Sequence, residues 1–291
     1  MMRRIINLIA NHIHFVISPP LKGGARDGIV LVLFFSVFIG IPAQTDTTIL
    51  INNTKVEIVI PEKLKKGTIL VLPGWNFPYN DVCLKSDFCK KALAEGFALV
   101  LPDMQKSIYH LKVYPQTRAD WVKYHTVYWL TDTVIPYIQQ EYGLLKENQC
   151  NFLFGISTGA RGVVMLAIQN ARLFKAGAAL SGDYDPLQMP NDNLLKGYLG
   201  EYNLHADLWK TTYNLVYQAN NINIPLFLAH GKDDKVVNPE QSALLFKALM
   251  KSNEKAKHQF NLVEKSGHDY VFWQSQYKAV FDFFTKCISK P

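Results

Sequence analysis

Four cysteines in 291 residues are too few for a disulfide-built scaffold, and 17 glycines without a three-residue period exclude a collagen-like chain. No internal repeat, low-complexity segment or Pro/Gly/Ser linker interrupts the sequence. Only 19% of the residues are charged and no block of like charge occurs, so the electrostatic footprint of a nucleic-acid partner is missing. There is no H-E-x-x-H, no clustered Cys/His spacing, no Walker loop and no G-x-G-x-x-G. Neither a metal nor an organic cofactor is implied. Long apolar runs are scarce too: a single one excludes a multi-span membrane protein.

That run, GIVLVLFFSVFIGI at residues 28–41, follows Arg3, Arg4, Lys22 and Arg26 and precedes Pro42-Ala43-Gln44. A basic flank, an apolar stretch and a small residue form the pattern of an export signal cut after Ala43. The lead-in is longer than an ordinary basic region, so a retained membrane anchor is the alternative. Residues 1–43 are expected to be one or the other, and the remainder periplasmic or extracellular, touching a membrane only through an uncleaved N-terminal segment. Removing them takes away four basic residues and one acid and lowers the net charge from +7 to +4. So small a surplus implies a solvated basic surface and nothing more.

Residues 44–291 suit one domain of the larger kind, and a hydrophobic content of 48% supplies its core. Eight short apolar runs read as strands: TILIN (48–52), KVEIVI (55–60), GTILVLPG (67–74), FALVLPD (97–103), NFLFGIS (151–157), KAGAALSG (175–182), NIPLFLAHG (223–231) and KHQFNLVE (257–264). Helical patterns are expected at 86–96, 117–143, 158–170, 239–251 and 270–289. Uniformly apolar strands alternating with helices predict an α/β fold, a mainly parallel sheet of about eight strands covered on both faces. In such sheets chemistry gathers at the carboxyl ends of the strands.

Four strand ends carry reactive residues: Pro73-Gly74-Trp75-Asn76, Gly155-Ile156-Ser157-Thr158-Gly159, His230-Gly231-Lys232-Asp233-Asp234 and Ser266-Gly267-His268-Asp269. The second is a G-x-S-x-G between an apolar strand and a helix-compatible segment, the context that a nucleophile elbow requires. Glycines suit it because the backbone there runs against its neighbours. A serine hydroxyl needs a base, and the base an orienting carboxylate. Outside residues 1–43, His110 and His125 precede the serine, His205 lies in a polar insertion and His258 begins a strand. His230 would leave its strand before the loop opens and reads as a packed structural residue. His268, between the last strand and the last helix, is the expected base. Asp183, Asp185, Asp233 and Asp234 compete for the role of acid.

With GISTG, HGKDDKVV and SGHDY in the order Ser, Asp, His, the chain resembles the α/β-hydrolase superfamily over nearly all of residues 44–291. TDTVIPYIQQEYGLL and KAGAALSGDYDP look like its esterase group, which includes S-formylglutathione hydrolases and feruloyl or acetylxylan esterases. The resemblance implies an α/β-hydrolase fold and a triad of Ser157, His268 and Asp234, the acid chosen by H-G-x-x-D-x-x-V. It implies an oxyanion hole built from the Thr158 N–H and the Trp75 N–H, with Asn76 as runner-up for the second donor. The chain departs from the group in reading L-P-G-W-N where H-G-G is common, and in placing Ala160 where glycine often follows the elbow. Neither departure removes a catalytic side chain. The implied activity is serine carboxylesterase chemistry on a small-molecule or carbohydrate-linked ester. The rivals are a prolyl-oligopeptidase-type serine peptidase, disfavoured by the lack of a propeller-sized N-terminal domain, and a non-catalytic binding protein on the same scaffold.

Two features stay open at this level. The polar insertion at 186–221 places Trp209, Tyr213 and Tyr217 at i, i+4 spacing, either a helix packing on the core or a substrate lid. Cys83 and Cys89 would point apart within one helix, but can bridge if Ser86 caps the helix and leaves Cys83 outside it.

Overall fold

The computed structural model describes residues 44–288, so the signal or anchor expected at residues 1–43 lies outside the described residues. All eight expected strands form: β1 Thr45–Ile51, β2 Thr54–Ile60, β3 Gly67–Leu72, β4 Phe97–Pro102, β5 Asn151–Ile156, β6 Ala176–Leu180, β7 Leu226–Gly231 and β8 Gln259–Val263. They build one sheet in the order β1-β2-β4-β3-β5-β6-β7-β8. The β1 and β2 strands pair antiparallel at one edge, and β3 to β8 run parallel. Six carboxyl ends therefore share one edge of the sheet.

Side chains alternate across a strand, and β3 shows the result. Leu70 and Leu72 pack with Ile135, Ile138, Val163 and Val164 on one face, while Ile69 and Val71 pack with Phe88, Ala92, Phe281 and Phe284 on the other. The covering helices, in chain order, are α1 Asp81–Lys85, α2 Phe88–Glu95, α3 Val127–Trp129, α4 Ile135–Glu141, α5 Thr158–Gln169, α6 Asn193–Leu199, α7 Glu240–Ser252 and α8 Tyr270–Ile288. None among the described residues is long and apolar enough to cross a membrane.

One helical expectation is corrected. The single helix expected at 117–143 begins only at α3, capped by Thr126, whose Oγ1 accepts the Trp129 N–H at 3.2 Å. It then widens into a π turn at Leu130–Val134 before α4, where Pro136 stands in the first turn. Proline lacks the N–H that a regular helix would need, and the wider turn absorbs the break. The helix expected at 86–96 forms as α2, and Ser86-Asp87 separate it from the short α1, so Cys83 lies outside the helix that carries Cys89. Their Cα atoms lie 5.1 Å apart and the two are bridged.

Candidate active site

Ser157 stands between β5 and α5 at φ 55°, ψ −127°, a conformation that a non-glycine residue holds only when its surroundings force it. The forcing is visible at the flanking glycines. A Cβ on Gly155 would lie 2.2 Å from the Gly159 carbonyl oxygen, and one on Gly159 would lie 2.1 Å from that of Leu72. The Ser157 N–H donates to the Leu180 carbonyl at 2.9 Å, which ties the turn to β6. The turn projects the serine hydroxyl over the sheet edge.

His268 arrives from the β8–α8 loop, just before Asp269, whose Oδ1 accepts the Phe272 N–H at 2.9 Å and caps α8. Its Nε2 is 3.0 Å from Ser157 Oγ, and its Nδ1 is 2.7 Å from Asp234 Oδ2. The ring rests edge-on against Trp273, whose indole N–H donates to Ser181 at 3.0 Å. Since a carboxylate only accepts, Nδ1 carries the proton and Nε2 is left to accept from the serine.

Asp234 is held on every side. Its Oδ1 accepts the N–H groups of Val236 at 2.8 Å and Val237 at 2.9 Å. Its Oδ2, besides His268, lies 3.2 Å from His230 Nε2. Burial opposes its charge, but the hydrogen bonds from His230, His268 and the Val237 N–H outweigh that cost and hold the carboxyl far below its ordinary range. The competing acids are occupied elsewhere. Asp183 pairs with the buried Arg161, Asp185 accepts from Asn214 and caps the Leu187 N–H, and Asp233 is exposed.

Above Ser157 lies a cavity of about 300 Å³ whose apolar walls come from Trp75, Phe77, Ile108, Leu194, Leu195 and Val237, with the Asp183 and Asp192 carboxylates also on its lining. Part of the 186–221 insertion thus walls the cavity. Of its three spaced aromatics, Trp209 and Tyr213 are fully buried in the core and Tyr217 is 68% exposed. At the cavity floor Thr158 opens α5, so its N–H has no intrahelical acceptor. The Trp75 N–H makes no backbone hydrogen bond among the described residues. Asn76 is corrected as the runner-up donor, because its N–H is spent on the Gln105 carbonyl at 2.7 Å.

Sequence reasoning missed the residues that set the Pro73–Asn76 turn in place. The Tyr109 hydroxyl donates to the Pro73 carbonyl at 2.7 Å while its ring lies where a Gly162 side chain would be. Gln105 supplies the carbonyl that takes the Asn76 N–H. No motif contains either residue. His230, read as structural, is fully buried and also touches the acid, a relation that its i, i+4 spacing to Asp234 could have signalled.

The sequence profile of the prolyl oligopeptidase family matches residues 106–291, which include Ser157, Asp234 and His268. The chain belongs to that family. No curated protein matches it by sequence. Among solved structures it is similar to an S-formylglutathione hydrolase from Agrobacterium tumefaciens, at 16% identity and a TM-score of 0.66 over 84% of this chain and 95% of that one. A ferulic acid esterase gives 16% identity and a TM-score of 0.62, covering 84% and 98% of the two chains. An acylaminoacyl peptidase from Pyrococcus horikoshii gives 16% and 0.61, over 83% of this chain but 41% of the peptidase. At these identities the likeness establishes the α/β-hydrolase fold. For this member of the prolyl oligopeptidase family, residues 73–76 after β3 fall before the matched stretch.

Proposed function

We propose that this serine hydrolase is an exported carboxylesterase working through an acyl-enzyme on Ser157, His268 and Asp234. The observation that carries the reading is the unbroken contact from Asp234 through His268 to Ser157 at the mouth of an apolar cavity. His268 Nε2 takes the proton as Ser157 Oγ attacks the acyl carbonyl, and Asp234 stabilises the imidazolium that results. The Trp75 and Thr158 N–H groups receive the oxyanion; losing one such donor costs on the order of 3 kcal/mol of transition-state stabilisation. Collapse breaks the ester C–O bond, and His268 returns its proton to the departing alcohol. Water, activated by the same nitrogen, then releases the acid. A cavity of about 300 Å³ with mostly apolar walls suits an acyl group of modest size. Likeness to esterases over nearly their whole length favours the ester, whereas the family's name and the acylaminoacyl peptidase neighbour keep aminoacyl amides as the second reading.

Fluorophosphonate labelling of the wild type and of Ser157→Ala tests the nucleophile: an adduct on the first and none on the second is expected. An unlabelled wild type would mean a binding protein. Faster turnover of an aminoacyl amide than of an aryl ester would mean a peptidase. Export rests on the apolar run at 28–41 and Ala43. Intact mass of the protein from its host should place the N-terminus near Gln44, and a soluble cytoplasmic form that keeps residues 1–43 would refute it.

A further inference from the structure

We infer that His230 is a second histidine on the catalytic acid: a buried positioning residue that, together with His268, fixes Oδ2 of the Asp234 carboxylate. The inference rests on the triad reading above. His230 sits at the end of β7, fully buried, and no step of that mechanism uses it. Its Nε2 lies 3.0 Å from the Val237 carbonyl oxygen and 3.2 Å from Asp234 Oδ2, and its Nδ1 lies 2.7 Å from Ser242 Oγ on α7. The tautomer follows from the partners. Both groups near Nε2 only accept, so Nε2 carries the proton, shared between a carbonyl and the carboxylate. Nδ1 is then the acceptor, and the Ser242 hydroxyl must donate to it.

A histidine used only for packing would need none of this. The chain of hydrogen bonds instead runs from Ser242 through His230 and Asp234 to His268 and Ser157, linking α7, β7 and both catalytic loops. Its consequence lies in the strength of the carboxylate as an acceptor. Asp234 divides its negative charge among four donors: the Val236 and Val237 N–H groups, His268 and His230. Remove one and the remaining charge falls more heavily on its neighbours, His268 above all, since the two share Oδ2. The carboxylate would then pull harder on the His268 Nδ1–H, and its own position would no longer be fixed from β7. The groups facing His230 are Ser242 from α7, the Val237 carbonyl and Asp234 from the β7–α7 loop, with His268 beyond the carboxylate. Lys232 is directed away into an exposed pair with Glu264, so it offers no substitute for the missing donor.

The test is the pH profile of kcat/KM on a neutral aryl ester, with the full chain as wild type, His230→Leu, His230→Gln and Ser242→Ala. Gln can place an N–H near the position of His Nε2; Leu cannot. The acid limb of His230→Leu should be displaced from that of wild type, with kcat about tenfold lower and KM within twofold. His230→Gln should restore both most of the way. Ser242→Ala, which keeps the imidazole but frees its tautomer, should shift the limb in the same direction by less, and it serves if His230→Leu does not fold. A limb that superimposes on wild type in both His230→Leu and Ser242→Ala, or a Gln variant as impaired as Leu, would reduce His230 to packing and overturn the inference. A wild type that neither turns over the ester nor takes the fluorophosphonate label would instead remove the triad reading on which it rests.

Discussion

The Asp234 loop after β7 and the Pro73–Asn76 turn after β3, given the roles of acid and oxyanion donor in the proposed mechanism, meet at the same sheet edge, yet they are held in place by different means. Apart from His268, Asp234 takes its partners from its own neighbourhood: His230 four residues before it, itself backed by Ser242 on α7, and Val236 and Val237 two and three after. The Pro73–Asn76 turn is fixed from a distance, by the Tyr109 hydroxyl and the Gln105 carbonyl some thirty residues along the chain. Locally supported geometry travels with its sequence as a motif. Geometry supported from elsewhere leaves no local trace, because the supporting residues need not keep any fixed spacing to what they support.

The sharpest break of the comparison comes from the acid side. Asp234→Asn keeps the shape of the loop but favours the wrong His268 tautomer, and in the serine-protease template such a change lowers turnover by about 10⁴-fold. A loss of that order in kcat, with near-normal folding by circular dichroism, is expected here. Asp183→Asn and Asp233→Asn should lose far less. If Asp183→Asn collapsed instead while Asp234→Asn stayed within tenfold of wild type, the acid would belong to the loop after β6.

How much could be read in advance follows the same division. All eight strands were legible as short apolar runs, and so was the convergence of Ser157, His268 and Asp234, since each stands in a motif at a strand end. The π turn at Leu130–Val134 was not, because the apolar periodicity of 117–143 continues through it and only Pro136 betrays the break. Nor was the failure of Asn76 as a donor: its N–H is satisfied by Gln105, which no spacing announces. The 186–221 insertion was half legible. Its aromatic spacing left packing and a lid open: Trp209 and Tyr213 pack, while Leu194 and Leu195, which the spacing does not mark, wall the cavity.

On the oxyanion side, the next effect in size is that of the Cys83–Cys89 bridge, which closes a short loop between α1 and α2 just beyond the turn. Its loss in the Cys83→Ser/Cys89→Ser pair should cost about 2 kcal/mol, a fall of roughly 5 °C in Tm by calorimetry. Turnover at 25 °C should change by less than about threefold, since no hydrogen bond to the turn itself is removed. An unchanged Tm would mean that the bridge constrains nothing that the core does not already hold.

Tyr109→Phe is the finer probe. It deletes only the hydroxyl that holds the Pro73 carbonyl and leaves the ring against Gly162. A turn free to drift by a fraction of an ångström misplaces the Trp75 N–H in the transition state more than in the ground state. The expected outcome is a kcat about tenfold lower with KM within twofold. Equal losses through KM would show that the hydroxyl supports the cavity wall and not the donor.

The smallest effect concerns pH, and it falls on the same distant support. His110 follows Tyr109 directly, is fully buried against Tyr198, and burial pushes its pKa from 6.5 down to about 4. The sign follows from which state binds the proton. Between pH 6.5 and 4 the unfolded chain protonates this histidine and the folded one does not, so acid draws the equilibrium toward unfolding and stability falls as pH falls. At pH 5.5 this single group should cost about 1 kcal/mol relative to pH 7.5, or roughly 3 °C in Tm. His125 and His258, each also pushed down to about 4 by burial, act in the same direction. Asp234 does not contribute over this interval, because its carboxyl is ionised in both states well above the ordinary aspartate range. His110→Phe, which keeps an aromatic ring against Tyr198, should therefore lower Tm less between pH 7.5 and 5.5 than wild type does, and the difference should vanish at pH 7.5. A slope identical in the two proteins would mean that the segment around Tyr109 opens locally and lets His110 take its proton without global unfolding, in which case the acid limb of the Tyr109-dependent kcat should steepen over the same interval.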